Sequence, residues 1–74
     1  GHLLGAAGGI EGIFSALAVI EDRLPATLNL DNPDESMADL DLVANQTRKT
    51  TNNHTLCNGF GFGGVNAALI VSKI

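Results

Sequence analysis

Residues 1–20 have the sequence GHLLGAAGGIEGIFSALAVI, and this stretch decides the fold. Apolar residues recur at helical spacing from Leu3 to Ile20, which predicts an α-helix. The opposite face is also apolar and is interrupted only by Glu11 and Ser15. A helix that is apolar all round is buried on all sides, yet the residues that follow look too few to wrap it. We therefore expect residues 1–74 to hold no complete domain.

A membrane-spanning helix is the alternative for the same stretch, because its length is nearly sufficient. Five glycines fall between residues 1 and 12, however, and Glu11 is charged. Each glycine costs roughly 1 kcal/mol relative to alanine in a helix interior, a cost that is tolerated where another backbone must come close. A frayed first turn would explain the same glycines. We expect a buried helix and no membrane span.

Polar residues and Pro25 end this helix, because proline cannot continue it. Residues 24–39 contain two prolines and several acids, which predicts a loop. Apolar and polar residues alternate partly over Leu40–Ala44, which predicts a short strand. Residues 45–53 are polar and are expected at the surface.

The last part of the chain predicts a β-hairpin. A first strand is expected over His54–Asn58, a turn over Gly59–Gly64, and a second strand over Val65–Lys73. The second segment contains two alanines, Ala67 and Ala68, so a helix is the alternative to the second strand.

Composition excludes one class of partner. The net charge is −4 and the isoelectric point is near 4.7, with only four lysines and arginines. No basic stripe exists to displace counterions, so a nucleic-acid partner is not expected. The single cysteine, Cys57, forms no internal disulfide, which fits a reducing compartment.

The run Gly59–Gly64, GFGFGG, formally matches the dinucleotide-binding pattern G-x-G-x-x-G. That site needs a helix next and an acid about 20 residues on, but the chain ends ten residues later and a strand is predicted there. We reject the nucleotide interpretation. Bare backbone N–H groups beside Phe60 and Phe62 suit a site that binds an anion and gates access. A glycine turn with two packed phenylalanines is the alternative.

His2 lies just before the predicted helix, where the positive end of the helix dipole disfavours imidazolium. A neutral imidazole is able to donate a hydrogen bond to a carbonyl, although a capping or packed histidine is the alternative. Glu11 needs a paired cation or full hydrogen bonding if the helix is buried. His54 and Cys57, even with His2, give fewer ligands than the four of a structural zinc site, so we expect no metal.

Three blocks of this sequence resemble motifs of type II β-ketoacyl-acyl carrier protein synthases, in the family's order and spacing. They are GHLLGAAGGIE at residues 1–11, LPATLNLD at residues 24–31 and LCNGFGFGGVN at residues 56–66. The resemblance implies an α/β fold: the C-terminal part of a thiolase-like layered αβαβα fold, with a buried helix, a loop and a β-hairpin with a Gly-rich turn. It also implies that residues 1–74 are a C-terminal fragment of the synthase's C-terminal half.

The resemblance further implies an acyltransferase that elongates fatty acyl chains. The family transfers an acyl group to a cysteine and decarboxylates malonyl-acyl carrier protein, and the resulting carbanion attacks the acyl thioester. The implied partners are acyl carrier protein, acyl and malonyl thioesters, and a second copy in a homodimer, with no cofactor. The expected location is cytoplasmic in a bacterium and mitochondrial or plastid in a eukaryote.

Residue roles carried over from the family fall on both ends of the chain. His2 matches the histidine that holds the malonyl thioester carbonyl, and Glu11 matches a glutamate that pairs with a lysine before residue 1. Phe62 matches the gating phenylalanine, whose backbone N–H helps build the oxyanion hole. The supporting positions in the same turn are Phe60, Gly61 and Gly63.

The sequence also departs from the family pattern. The nucleophilic cysteine and the first histidine lie outside this chain, and Cys57 matches a structural position. Gly59 replaces a usual serine, and Val65 replaces a threonine. We therefore expect the chain to be inactive alone. The alternative is a non-catalytic module of this family that binds an acyl group or a protein.

Overall fold

The computed structural model describes all residues, Gly1–Ile74. It contains one α-helix and two small antiparallel sheets of two strands each. In chain order these elements are α1 (Ala7–Glu21), β1 (Arg23–Leu24), β2 (Arg48–Lys49), β3 (His54–Phe60) and β4 (Asn66–Ser72). Short 3₁₀ turns lie at Leu4–Ala6, Glu35–Met37 and Phe62–Gly64.

Helix α1 occupies the predicted stretch, although a 3₁₀ turn replaces its expected first turn. Its end is well defined, because Asp22 adopts the left-handed conformation with φ 53°. The side-chain amide of Asn52 donates to the carbonyl of Ala18 at 3.0 Å. The same carbonyl accepts from the backbone N–H of Asp22, so the Asn52 amide adds a second hydrogen bond at the last turn of the helix.

The predicted hairpin is confirmed. Strand β3 runs two residues beyond the expected Asn58, and it pairs with β4 in a continuous register that places Cys57 opposite Leu69. The backbone N–H of Gly61 donates to the carbonyl of Val65 at 2.7 Å and closes the turn. The alternative of a helix at residues 67–68 is not found, because both residues belong to β4.

Helix α1 packs against one face of this hairpin. The hydroxyl of Thr55 donates to the carbonyl of Ser15 at 3.2 Å. A Cβ placed on Gly12 would lie 3.6 Å from Cδ2 of Leu69, an ordinary van der Waals distance, so the side chain of Leu69 lies over the helix at Gly12. The other face of the hairpin is uncovered, as Leu56 shows by its exposure.

The predicted burial of the helix is not found in this chain. Only Ala18 and Val19 are buried, whereas Ile13 and Ile20 on other stripes of α1 are 62% and 73% exposed. The physical reason is that the hairpin covers one stripe of the helix and no other element covers the rest.

The predicted strand at Leu40–Ala44 is wrong. Ala44 forms only an isolated bridge with Thr27, and Val43 has φ 49°, which is incompatible with a regular strand. The segment is held instead by the side chain of Asn45, which accepts a hydrogen bond from the N–H of Leu30 and donates one to its carbonyl. These bonds tie two loops together without a sheet.

Strands β1 and β2 were not predicted, because their four residues are mostly polar and lack an alternating pattern. They bring the end of α1 against the segment before β3. Nearby, Lys73 forms an ion pair with Asp22 at 2.5 Å, and Asp22 also accepts from the N–H of Asn52. The Lys73 ammonium, followed by that N–H, holds the pKa of Asp22 below its usual range.

By length and composition, the segment Leu4–Glu21 is apolar enough to cross a membrane, with a mean hydropathy of 1.4. A helix from the core of a larger fold has the same properties. The hydrogen bond from Thr55 to the carbonyl of Ser15 shows that α1 makes a specific contact with the hairpin. The absence of a membrane span stays a prediction.

The surface area indicates how incomplete the packing is. A compact monomer of this mass exposes about 4,300 Å², whereas the chain exposes 6112 Å². Its radius of gyration is 13.6 Å, against about 11 Å for a compact domain of this length. The excess apolar surface needs other partners.

We therefore predict that the isolated 74-residue chain self-associates or folds loosely. Light scattering after size-exclusion chromatography measures the association, and the amide NMR spectrum measures the order. Substituting Ile13→Lys together with Ile20→Lys should shift the chain toward monomer, because both exposed side chains lie on one stripe of α1. A parent chain that is monomeric, with dispersed amide signals and a cooperative melt, would contradict this prediction.

Candidate functional site

An open cleft of about 590 Å³ lies between the start of α1 and the end of β3. One wall comes from the first eleven residues and the other from the glycine-rich end of the hairpin. The lining residues are His2, Leu4, Gly5, Ala7, Gly8, Glu11, Asn58, Gly59, Phe60, Gly61 and Phe62. The cleft is thus built from two segments that lie far apart in the sequence.

The structure brings together five of the six residues singled out in the sequence. His2 and Glu11 line one wall, and Phe60, Gly61 and Phe62 line the other. The sixth, Gly63, does not line the cleft, although it follows Phe62 in the same turn. Their catalytic roles stay predictions.

His2 is held by the backbone that follows it. The N–H of Leu4 donates to Nδ1 of His2 at 3.2 Å. A ring nitrogen that accepts a hydrogen bond carries no proton, so the neutral ring carries its proton on Nε2. Nε2–H is then the group that His2 offers as a donor.

The glycine turn depends on its glycines at defined positions. Gly63 and Gly64 have φ 78° and 79°, in the left-handed region that other residues adopt only with strain. At Gly61, a Cβ would lie 3.0 Å from the carbonyl oxygen of Val65. Gly59 is different, because a Cβ there meets nothing within 4 Å.

The two phenylalanines of this turn are exposed, Phe60 at 80% and Phe62 fully. The alternative of a turn with two packed phenylalanines is therefore not found in this chain. Strand β4 follows the turn, and this supports rejection of a dinucleotide site, which would need a helix there.

Glu11 lies in the cleft wall without an ion-pair partner in this chain, since the two ion pairs present join Asp41 to Arg48 and Asp22 to Lys73. Its carboxylate is exposed. A cation brought to this wall would meet a free acceptor.

The residues weighed for a metal do not converge. Nδ1 of His54 lies 2.8 Å from the hydroxyl of Ser72, while Cys57 is half-buried. Residues 54 and 57 point to opposite faces of β3, because side chains alternate along a strand. No group of three or more potential metal ligands is present anywhere in the chain.

Six residues of the cleft were not predicted as site residues: Leu4, Gly5, Ala7, Gly8, Asn58 and Gly59. All six lie within the blocks that carry the family resemblance, so their positions were available. The left-handed conformation of Leu4 could not be predicted, because nothing in the sequence indicates its φ of 54°.

Comparison with protein-family models gives no match. Among curated proteins, the chain is 55% identical over 73 residues to the 3-oxoacyl-[acyl-carrier-protein] synthase 2 of Rhizobium meliloti and 47% identical over 74 residues to that of Vibrio harveyi. The synthase 2 of a Synechocystis species is 48% identical over 73 residues. These matches cover 99 or 100% of the chain but only 17 or 18% of each relative.

The chain is therefore homologous over its whole length to a segment of 3-oxoacyl-[acyl-carrier-protein] synthase 2, which confirms the resemblance to the β-ketoacyl synthases. The match includes residues 34–55, which lie between the second and third blocks.

The turn glycines give a prediction for a full-length homologue of these relatives that carries this segment, here called the full-length protein. Gly63→Ala and Gly64→Ala should each lower its free energy of unfolding by about 1–2 kcal/mol, because a Cβ is strained at positive φ. Gly59→Ser is the matched control in the same run and should change it by about 0.5 kcal/mol or less. Denaturant unfolding compares the three variants, and an equal effect of all three would contradict the assigned turn conformation.

Proposed function

We propose that this chain forms one part of the active site of a fatty-acid-elongating 3-oxoacyl-[acyl-carrier-protein] synthase. The reaction is the decarboxylative Claisen condensation of an acyl thioester with malonyl-acyl carrier protein. The observation that carries the proposal is the cleft, which gathers His2 and Phe62 from two separate blocks that resemble the family. Homology over the whole chain supports the same reaction class.

In this proposal, His2 acts on the malonyl thioester. Its Nε2–H donates to the thioester carbonyl oxygen, which becomes negatively charged as the malonyl carboxylate leaves as CO₂. The electron pair of the broken C–C bond moves into the enolate, and His2 stabilises that charge without giving up its proton. The other ring nitrogen of His2, Nδ1, accepts a hydrogen bond from the N–H of Leu4.

Phe62 serves the second half of the reaction. The enolate carbon attacks the carbonyl of the acyl group held on a cysteine outside this chain, and a negative charge builds on that oxygen. The backbone N–H of Phe62 donates to it, and the cysteine thiolate then leaves. A donor fixed in advance stabilises such a charge without reorganisation. The exposed ring of Phe62 closes the acyl pocket.

Glu11 holds the cleft wall in this proposal. The carboxylate has no cation partner within the chain, and we propose that it pairs with a lysine elsewhere in the full-length protein. Such a pair would fix the start of α1 and thereby the position of His2.

The same proposal explains the apolar surface that is exposed in this chain. The uncovered stripes of α1 and the outer face of the hairpin pack inside a thiolase-like layered αβαβα fold, to which residues 1–74 contribute part of the C-terminal half and no complete domain. The chain alone lacks the nucleophile and is inactive. The full-length protein binds acyl carrier protein and acts as a homodimer, in the cytoplasm of a bacterium or in a mitochondrion or plastid.

The role of His2 is tested by His2→Ala in the full-length protein. Condensation should fall by about 10²–10³-fold, the usual cost of losing one donor to a developing oxyanion. Acylation of the cysteine should persist, since that step does not use the malonyl carbonyl. His54→Ala is the matched control, because His54 contacts Ser72 and does not line the cleft. Condensation at the parent rate in His2→Ala would remove His2 from the mechanism.

The role of Phe62 is tested by comparing Phe62→Ala with Phe60→Ala. Phe62→Ala keeps its own N–H but loses the closing ring, so condensation should slow and discrimination between carrier-bound substrates should weaken. Phe60→Ala should act chiefly on stability. Single-turnover acylation and condensation, together with melting temperatures, separate the two effects. If Phe62→Ala changes only the melting temperature, the gate lies elsewhere.

A further inference from the structure

Gly59 lies inside strand β3, at a position where the backbone does not require a glycine. Unlike Gly63 and Gly64, it does not have positive φ. A Cβ at Gly59 would meet no atom within 4 Å, whereas a Cβ on Gly61 would lie 3.0 Å from the carbonyl oxygen of Val65. A glycine inside a strand weakens it, and the family that this chain resembles usually has a serine here. Neither the backbone nor the packing within this chain therefore explains Gly59.

The face of β3 that carries Gly59 is the face toward α1. Side chains alternate along a strand, so residues 55, 57 and 59 share one face, and on that face the hydroxyl of Thr55 donates to the carbonyl of Ser15. Gly8 precedes Ser15 by seven residues, which places both on the same side of the helix. Gly8 and Gly59 both line the cleft. They are therefore the residues of the helix and the strand that face each other across it.

The helix and the hairpin diverge toward the cleft. At Gly12, a Cβ would lie 3.6 Å from the side chain of Leu69, so the two elements are in contact there. One helical turn earlier, a Cβ on Gly8 would meet no atom of the hairpin within 4 Å, and a Cβ on Gly59 would meet no atom of the helix. We call the space between Gly8 and Gly59 the glycine slot. It is open toward the cleft, and it closes at the contact between Gly12 and Leu69.

We propose that the glycine slot receives a methyl group on C2 of the malonyl unit, and that Gly59 determines this specificity. In the proposed function, His2 on one wall binds the malonyl thioester carbonyl, and the N–H of Phe62 on the other wall binds the acyl carbonyl. C2 forms the new bond between these two carbonyl carbons, so a substituent on C2 lies next to both walls, which also bound the slot. The inference rests on the proposed function and adds a substrate class, the 2-methylmalonyl thioesters.

A serine at position 59 would place two heavy atoms, Cβ and Oγ, in the glycine slot. Nothing in the chain blocks its Cβ, so the substitution fills the slot without disturbing the fold. One methylene more or less in an apolar pocket changes the discrimination between substrates by about 10–200-fold. A malonyl unit without a substituent does not enter the slot, so its condensation should not depend on residue 59.

The test compares condensation of malonyl- and 2-methylmalonyl-acyl carrier protein by the full-length protein, and the readout is the ratio of the two kcat/KM values. In both substrates the carboxylate leaves as CO₂ and the enolate carbon attacks the acyl thioester, so only the substituent differs. Gly59→Ser should lower the share of the 2-methylmalonyl substrate by about tenfold or more, while kcat/KM for the malonyl substrate stays at the parent value. Gly59→Ala adds Cβ alone and should lower the ratio by a smaller factor.

Val65→Thr is the matched control, because position 65 also departs from the family pattern but does not line the cleft. Valine and threonine have nearly the same size, so this variant should keep the parent ratio. A second readout needs no turnover. Malonyl and 2-methylmalonyl analogues of the pantetheine thioester, in which an amide nitrogen replaces the thioester sulfur, give a ratio of dissociation constants that Gly59→Ser should shift in the same direction.

The outcomes separate the slot from the proposed function. A parent that does not condense the 2-methylmalonyl substrate, or a ratio that Gly59→Ser leaves unchanged, overturns the assignment of the slot. An equal loss with both substrates also overturns it, because Gly59 would then affect the whole cleft. If Gly59→Ser does not fold, Gly59→Ala decides by the same ratio. If His2→Ala condenses at the parent rate, the proposed function of His2 fails, and the dissociation constants of the amides alone decide whether the slot selects the methyl group.

Discussion

The close contact between α1 and the β3–β4 hairpin is the constraint on which the rest of the structure depends. It is made where the helix has no side chain, at Gly12, and the strand presents Leu69. A Cβ at Gly12 would reach ordinary van der Waals distance from Leu69, so alanine would fit here. The helix starts directly after residues 2–6, and its packing on the hairpin brings His2 to the same cleft as the turn that follows β3.

The same constraint explains why the chain has a formed site and an unfinished core. One stripe of α1 faces the hairpin and gains hydrogen bonds such as that from Thr55 to Ser15. On the other stripes, isoleucine and phenylalanine side chains are exposed to solvent. Local geometry at the cleft comes from backbone turns and a few short contacts within the chain. Burial is a property of the larger fold, and a segment with 17 or 18% of its relatives' length does not supply it.

The sequence predicted those elements whose patterns are local. Helical spacing located α1, and glycines between two apolar runs located the hairpin. The loop contacts of Asn45 and the pairing of Arg23 with Lys49 were missed, because both join residues far apart without any periodic signal. The false strand at Leu40–Ala44 came from a short partial alternation, which the left-handed backbone at Val43 overrides. The grouping of His2 with Phe62 was predicted from family resemblance, since no spacing rule connects residues 60 positions apart.

The two walls of the cleft reach unusual backbone conformations in opposite ways. Gly63 and Gly64 adopt positive φ without penalty, and one backbone hydrogen bond, from Gly61 to Val65, closes their turn. Leu4 adopts positive φ against the preference of its side chain, next to a helix that is anchored on the hairpin. A strained conformation persists only if its surroundings hold it. We therefore expect the wall that carries His2 to stay fixed, and in the proposed function this wall would aim a donor in advance at a site that the ring of Phe62 opens and closes.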